Sequence, residues 1–201
     1  MGDRLSHSFY ARPAPEVAPD LLGKCFVRRL GERCLSGRIV EVEAYTGNTD
    51  PASHAYRGKT PRNAVMFGPA GHLYVYLSYG MHSCMNVVTD DPGRAGAVLI
   101  RALEPREGLD IMEARRGGKP LVDFCNGPGK LCAALGITRE QNGTDLTGDE
   151  IWIEDEKGPT KGIGVSARVG ISTGVELPLR FFLLGNRFVS RGRPAMPPAS
   201  P

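Results

Sequence analysis

The chain has 201 residues, 41% of them hydrophobic and 23% charged, with 25 basic against 22 acidic residues and a net charge of +3. Such a composition suits one globular domain and excludes a disordered polymer; the small positive balance permits a nucleic-acid partner without demanding one. No apolar run approaches the roughly 18 residues of a membrane span, and the opening Met-Gly-Asp-Arg-Leu-Ser-His has no secretory-type apolar segment. A cytoplasmic protein is therefore expected, nucleoid-associated in a prokaryote or nuclear in a eukaryote.

Residues 15–22 suit a short helix stopped by Gly23. Cys25–Leu30 reads as a strand that turns at Gly31-Glu32 into a longer one over about 35–45. There, period-2 alternation sets Arg38, Val40, Val42 and Ala44 on one side and Ile39, Glu41, Glu43 and Tyr45 on the other. Two carboxylates and an aromatic ring are an unusual set for a face packed on a core. The stretch 46–71 is rich in Gly and Pro and carries His54, Tyr56, Arg57, Lys59, Arg62 and Asn63; a structureless loop this long is either solvated or functional, and its basic and aromatic mixture suits a phosphate-rich partner. Residues 72–79 form a strand with Leu73, Val75 and Leu77 on one face and Tyr74, Tyr76 and Ser78 on the other. Tyr79-Gly80 turns it into a returning strand over 81–89. A further strand over 98–103 sets Arg101 opposite Val98 and Ile100. A helix is expected over 105–116 with Pro105 at its first position, and a second opens at Gly127-Pro-Gly-Lys130 and closes at Gly136. Strands near 151–154, 165–171 and 179–184 complete the pattern. Hairpin order predominates, which predicts an α+β fold: a single domain on a curved, mainly antiparallel sheet, with flanking helices and a protruding hairpin. The domain is expected over 1–190, and the proline-rich stretch 191–201 as a flexible tail.

The five cysteines include no Cys-x-x-Cys pair and the four histidines form no metal motif, so reduced thiols and no metal are expected. Glu43 could serve as a general base or be an ordinary strand glutamate. The tyrosines 45, 74, 76 and 79 could pack a sheet face or build a stacking pocket for a base, with His54 as another flat side chain. Arg101, odd on an apolar strand, could pair with an acid such as Glu41 or share a water with Glu43. Lys130, at a glycine-rich helix start, could hold a phosphate or act as an amine nucleophile.

Several motifs, taken in order, resemble one family. They are Arg38-Ile-Val-Glu-Val-Glu-Ala-Tyr45, His54, Thr60-Pro-Arg-Asn63, Leu73-Tyr-Val-Tyr-Leu-Ser-Tyr-Gly-Met81, Cys84-Met-Asn86, Leu99-Ile-Arg-Ala-Leu-Glu-Pro105, Asn126-Gly-Pro-Gly-Lys-Leu-Cys132 and Ala167-Arg-Val-Gly170. Together they resemble the alkyladenine (3-methyladenine) DNA glycosylases of the mammalian type, over about residues 10–190. The resemblance implies a monofunctional base-excision-repair enzyme. Such an enzyme flips alkylated or deaminated purines (3-methyladenine, 7-methylguanine, hypoxanthine, ethenoadenine) from duplex DNA and hydrolyses the N-glycosidic bond, leaving an abasic site. It implies Glu43 as the base that activates water, with Arg101 and the Val169 carbonyl completing the water's cradle. Tyr45, His54 and Tyr76 become the walls around the flipped base, and Asn86 the residue that crowds the exocyclic amine of guanine. Tyr79, with Met81, enters the minor groove, while Arg57, Arg62 and Lys130 are candidate phosphate contacts. The family implies no metal, no organic cofactor and a monomer on double-stranded DNA. Residues 138–164 match it poorly.

Overall fold

The computed structural model describes residues 2–156 and 162–192. In chain order its elements are β1 (Asp3–Arg4), α1 (His7–Tyr10), α2 (Ala14–Leu21), β2 (Cys25–Leu30), β3 (Arg33–Thr46), β4 (Leu73–Ser78), β5 (His82–Thr89), β6 (Gly96–Glu107), α3 (Leu109–Arg116), α4 (Pro128–Leu135), β7 (Ile151–Asp155), β8 (Ile163–Ser166) and β9 (Arg180–Leu183). The nine strands form one antiparallel sheet in the order β1-β7-β2-β3-β6-β5-β4; β9 joins β3 on the edge that β2 vacates, and β8 pairs with β9. This is an α+β fold on one large antiparallel sheet. No helix among the described residues is long and apolar enough to cross a membrane.

The core lies between one face of the sheet and the helices. Val17, Ala18 and Leu21 of α2 and Leu131, Cys132 and Leu135 of α4 pack with Val42, Ala44, Val87, Val98 and Ile100. Each fully buried aliphatic side chain of this kind contributes about 1.5–3 kcal/mol. Leu73 and Val75 of β4 also join the core, whereas Leu77, near the hairpin end, is exposed.

The long strand β3 departs from simple alternation. Ile39 pairs with Leu103, Glu41 with Ala102 and Val42 with Ile100, so Val40 is an extra residue on β3 and Arg101 an extra residue on β6. Simple alternation puts Ile39 on the carboxylate face; the bulge at Val40 lets both Ile39 and Val40 enter the core, while Glu41, Glu43 and Tyr45 keep the opposite face. The second bulge restores the register and re-aims Arg101.

Two expected elements differ. No helix begins at Pro105: β6 runs to Glu107, with Pro105 paired to Gly37 beside a register shift, and α3 starts after Gly108, whose φ is 70°. β5 pairs with β6 only over 96–99, so Pro105 lies where no neighbour on that side needs its missing N–H. The strand expected over 165–171 ends at Ser166, and the following residues form a loop that serves the site. Of the expected tail, residues 193–201 lie outside the described residues.

Candidate active site

The polar face of β3 and the bulged Arg101 of β6 build a buried charged cluster. Glu41 and Glu43 are fully buried and Arg101 nearly so. Arg101 Nε donates to Glu41 Oε1 at 2.9 Å, and its Nη1 lies 3.3 Å from Glu43 Oε2 and 3.5 Å from the Val169 carbonyl. Arg101 thus pairs with Glu41, as one reading of it expected, and also lies beside Glu43. Glu43 Oε1 accepts the Val169 N–H at 2.6 Å and Oε2 accepts the Tyr45 hydroxyl at 3.0 Å. The resemblance pointed to the carbonyl of Val169; its N–H is the closer contact to the carboxylate. Burial pushes the Glu43 carboxyl above the usual glutamate range, against the pull of Arg101, the Val169 N–H and the Tyr45 hydroxyl. Burial alone would weaken the Arg101 cation, but Glu43 and Glu41 outweigh it and hold the guanidinium charged. The result is a buried carboxylate of fixed orientation and raised proton affinity.

In front of this cluster lies a cavity of about 350 Å³, within the usual size range of small-ligand sites. Tyr45, His54, Arg62, Tyr74, Tyr76, Tyr79 and Asn86 are among its lining residues, with Gly170 and the residues after it. Glu43 and Arg101 do not line it; they stand behind Tyr45 and beside Val169. His54 meets Tyr76 edge to face with centroids 4.4 Å apart, and Tyr74 stacks on Tyr76 at 5.6 Å. His54 Nδ1 is 3.0 Å from the Tyr74 hydroxyl, and burial, helped by Arg62, depresses the His54 pKa and keeps the imidazole neutral. Asn86 Nδ2 donates to the Tyr74 carbonyl at 3.2 Å, which fixes the amide on the cavity wall.

Residues 8–187 match the methylpurine-DNA glycosylase family. The chain belongs to that family. It is similar to proteins named "Putative 3-methyladenine DNA glycosylase" from Carboxydothermus hydrogenoformans, 52% identical with 93% of this chain and 98% of that protein covered, and from Methanoculleus marisnigri, 52% identical with the same coverage. A third, from Chlorobium phaeovibrioides, is 48% identical over 96% of this chain and the whole of its own length. The chain is therefore a DNA glycosylase.

In this glycosylase the hairpin tip stands at the cavity mouth. Ser78 accepts the Met81 N–H at 3.1 Å around Tyr79 and Gly80, whose φ values are 50° and 70°. Tyr79 is 87% exposed and Met81 74% exposed. Tyr79 lines the cavity, whereas Met81 lines a separate depression with His82 and Gly129. Arg62 lies over the Tyr76 ring and donates to the Leu77 carbonyl at 3.3 Å; Arg57 is exposed on the same long loop. Lys130 is outside the cavity, its ammonium bonded to Asn126 Oδ1 at 2.8 Å.

Reading the sequence missed the supports of the two loops that frame the cavity. Arg168 and Asp50, both fully buried, form a two-pronged ion pair; Arg168 also donates to the Ala44 carbonyl and lies 4.6 Å from the centre of the Tyr45 ring. Asn63 Nδ2 donates to the His54 and Gly58 carbonyls at 2.8 and 3.0 Å, and its Oδ1 accepts the Thr60 N–H. The long loop is thereby a built object, with only short 3-10 turns at Gly47–Thr49 and Ala64–Phe67. An asparagine in a Gly- and Pro-rich loop was the one available sequence signal.

Proposed function

We propose that the chain flips alkylated or deaminated purines, such as 3-methyladenine, 7-methylguanine, hypoxanthine and ethenoadenine, out of duplex DNA. It then hydrolyses the N-glycosidic bond with a water activated by Glu43 and leaves an abasic site, acting as a monomer. The observation that carries this is the coupling of an oriented, basic carboxylate to an aromatic cavity through one residue, Tyr45, whose ring lines the cavity and whose hydroxyl holds Glu43. A purine inside a duplex is inaccessible and has to be extruded. The aromatic lining of Tyr45, His54 and Tyr76 suits a flat, electron-poor base, and an alkylated purine carries positive charge that strengthens such stacking. The same charge makes the base a good leaving group. The enzyme then needs only a base for water and a negative group near the developing sugar cation, and Glu43 supplies both. Asn86 on the cavity wall opposes the extra 2-amino group of guanine, and Tyr79 fills the gap left in the duplex. Arg57, Arg62 and Lys130 are the proposed phosphate contacts.

The test is incubation with duplexes that carry single lesions, scored separately for free base and for strand cleavage. Free base without strand cleavage is expected, and borohydride should trap no adduct; a trapped band would point to an amine nucleophile such as Lys130.

A further inference from the structure

The cluster behind the cavity extends beyond the residues that would touch water or substrate. Glu41 is fully buried and occupied on both oxygens. Its Oε1 accepts Arg101 Nε at 2.9 Å, Arg180 Nε at 2.8 Å and the Ser190 hydroxyl at 2.8 Å, while its Oε2 accepts the Ser190 N–H at 2.6 Å. Arg180 is on β9, and Ser190 is near the end of the described chain. Two residues later Gly192 approaches so closely that a Cβ there would lie 2.6 Å from Val169 Cγ1 and 3.6 Å from Arg101 Nη2. Gly192 therefore lies beside Val169 and Arg101, the two residues that hold Glu43, while Ser190 holds Glu41.

We propose that Glu41, Arg180 and Ser190 are positioning residues for the reaction, and that the C-terminal segment 190–192 is a wall of the reaction centre. The proposal rests on Glu43 as the base. Arg101 has one charged partner in front, Glu43, and one behind, Glu41. A guanidinium held only by Glu43 could swing with it. Anchored through Nε to a carboxylate that two further elements clamp, it can keep Nη1 aimed at Glu43 Oε2 and the Val169 carbonyl. With Glu43 ionised the four groups Glu41, Glu43, Arg101 and Arg180 sum to zero charge, the condition under which a buried ionic cluster is tolerated. Ser190 supplies two of the four donors to Glu41 without adding charge. Gly192 leaves Val169 the room to keep its N–H on Glu43.

The test uses the full chain with Ser190→Ala, Ser190→Thr and Gly192→Val, alongside Glu43→Gln. The substrate is a duplex with 7-methylguanine, a cationic lesion that needs no acid to leave, so that the acid limb of the single-turnover rate reports the base. Around Glu43 that limb also senses Arg101, Glu41, Tyr45, Tyr76 and Arg168. Ser190→Ala and Gly192→Val should lower the rate roughly tenfold to a hundredfold, as misplacement of a catalytic group does, with DNA affinity unchanged. Because Arg101 pulls the Glu43 pKa down, a loosened Arg101 should move the limb to higher pH, and Ser190→Thr, which keeps the hydroxyl, should restore it. If Glu43→Gln is inactive while both variants keep the wild-type limb and rate, the positioning proposal falls alone. A lowered melting temperature with an unmoved limb overturns it in the same way. If Glu43→Gln retains activity, the reading of the base falls and takes the proposal with it.

Discussion

The charged cluster behind the cavity and the hairpin tip in front of it both reverse the ordinary partition between core and surface, in opposite directions. Inside, Glu41, Glu43, Asp50, Arg101, Arg168 and Arg180 are buried ions. Outside, Tyr79 and Met81 are large apolar groups in solvent, one of them on left-handed backbone. The interior resolves its conflict within the molecule, since every one of those ions has an opposite charge within 3.3 Å. The tip has no such resolution among the described residues: nothing covers Tyr79, and its φ of 50° costs about 1–2 kcal/mol for an L-residue. An unresolved cost at a cavity mouth is what a surface made for a partner looks like, and the duplex is the partner proposed for it. The interior also divides in two. Asp50 and Arg168 satisfy each other two-pronged, whereas Arg101 is shared between two carboxylates; burial prevails over the partners at Glu43, while the partners prevail over burial at Arg101 and Arg168.

The largest expected effect separates those two interior pairs. Glu43→Gln should keep DNA binding and lose about 10²- to 10⁴-fold in single-turnover excision, and it should change how stability depends on pH. The sign follows from the raised pKa: folding favours the protonated carboxyl, so ionised Glu43 costs stability as pH rises from the unfolded glutamate value of about 4.3 through the raised folded one. The glutamine variant should flatten that dependence. In the wild type, excision of 7-methylguanine should rise with pH across the raised Glu43 pKa, because the base has to be ionised. An excision rate near wild type for Glu43→Gln would remove the distinction.

Arg168→Ala should do the reverse and destabilise by about 3–5 kcal/mol, the usual cost of breaking a buried pair, read as a lowered denaturation midpoint. It leaves Asp50 buried and uncompensated between two loops. A variant with full stability would show that the pair is dispensable and that Tyr45 is held by other means.

The strands were legible because period-2 alternation is a local signal, and β2, β3, β4 and β5 stand within a residue or two of their expected bounds. The bulges were not, since inserting one residue leaves no mark in composition; only pairing with β6 shows that Val40 and Arg101 are the extra residues. Pro105 misled because the same missing N–H suits a helix start and a strand residue with a neighbour on one side only, and which one wins depends on where β5 stops. The cavity-lining aromatics could be listed from the motifs. Arg168 with Asp50, and Ser190 with Glu41, join residues 118 and 149 positions apart, and pairings made only by the closed fold have no local signature.

Asn86 joins the two regions, since it stands on the hairpin but at its buried end. Asn86→Ser should lose its bond to the Tyr74 carbonyl, at a cost of about 1 kcal/mol. It should also widen the cavity wall, shifting the preference between 7-methylguanine and hypoxanthine toward the guanine lesion by roughly tenfold. Competition between the two duplexes in one tube measures the ratio directly; an unchanged ratio would move discrimination away from this side chain.

The smallest expected effect, and the one that bears most directly on the tip, is Tyr79→Gly. Two stability terms act in opposite directions. Glycine relieves the left-handed strain of about 1–2 kcal/mol but loses about 0.5–1 kcal/mol through the greater freedom of the unfolded chain. An exposed ring contributes little packing to set against either, so the melting temperature should barely change. Extruding a base costs a few kcal/mol, of which an inserted ring recovers part. Excision of hypoxanthine from a stable pair should therefore fall about tenfold, and much less when the same lesion sits in a mismatch or opposite a gap, where unpairing is already cheap. A residue that merely packed the sheet would behave otherwise: its loss would lower the melting temperature and reduce excision equally on every duplex. That uniform pattern would make the tip an ordinary turn and leave the comparison with only its interior half.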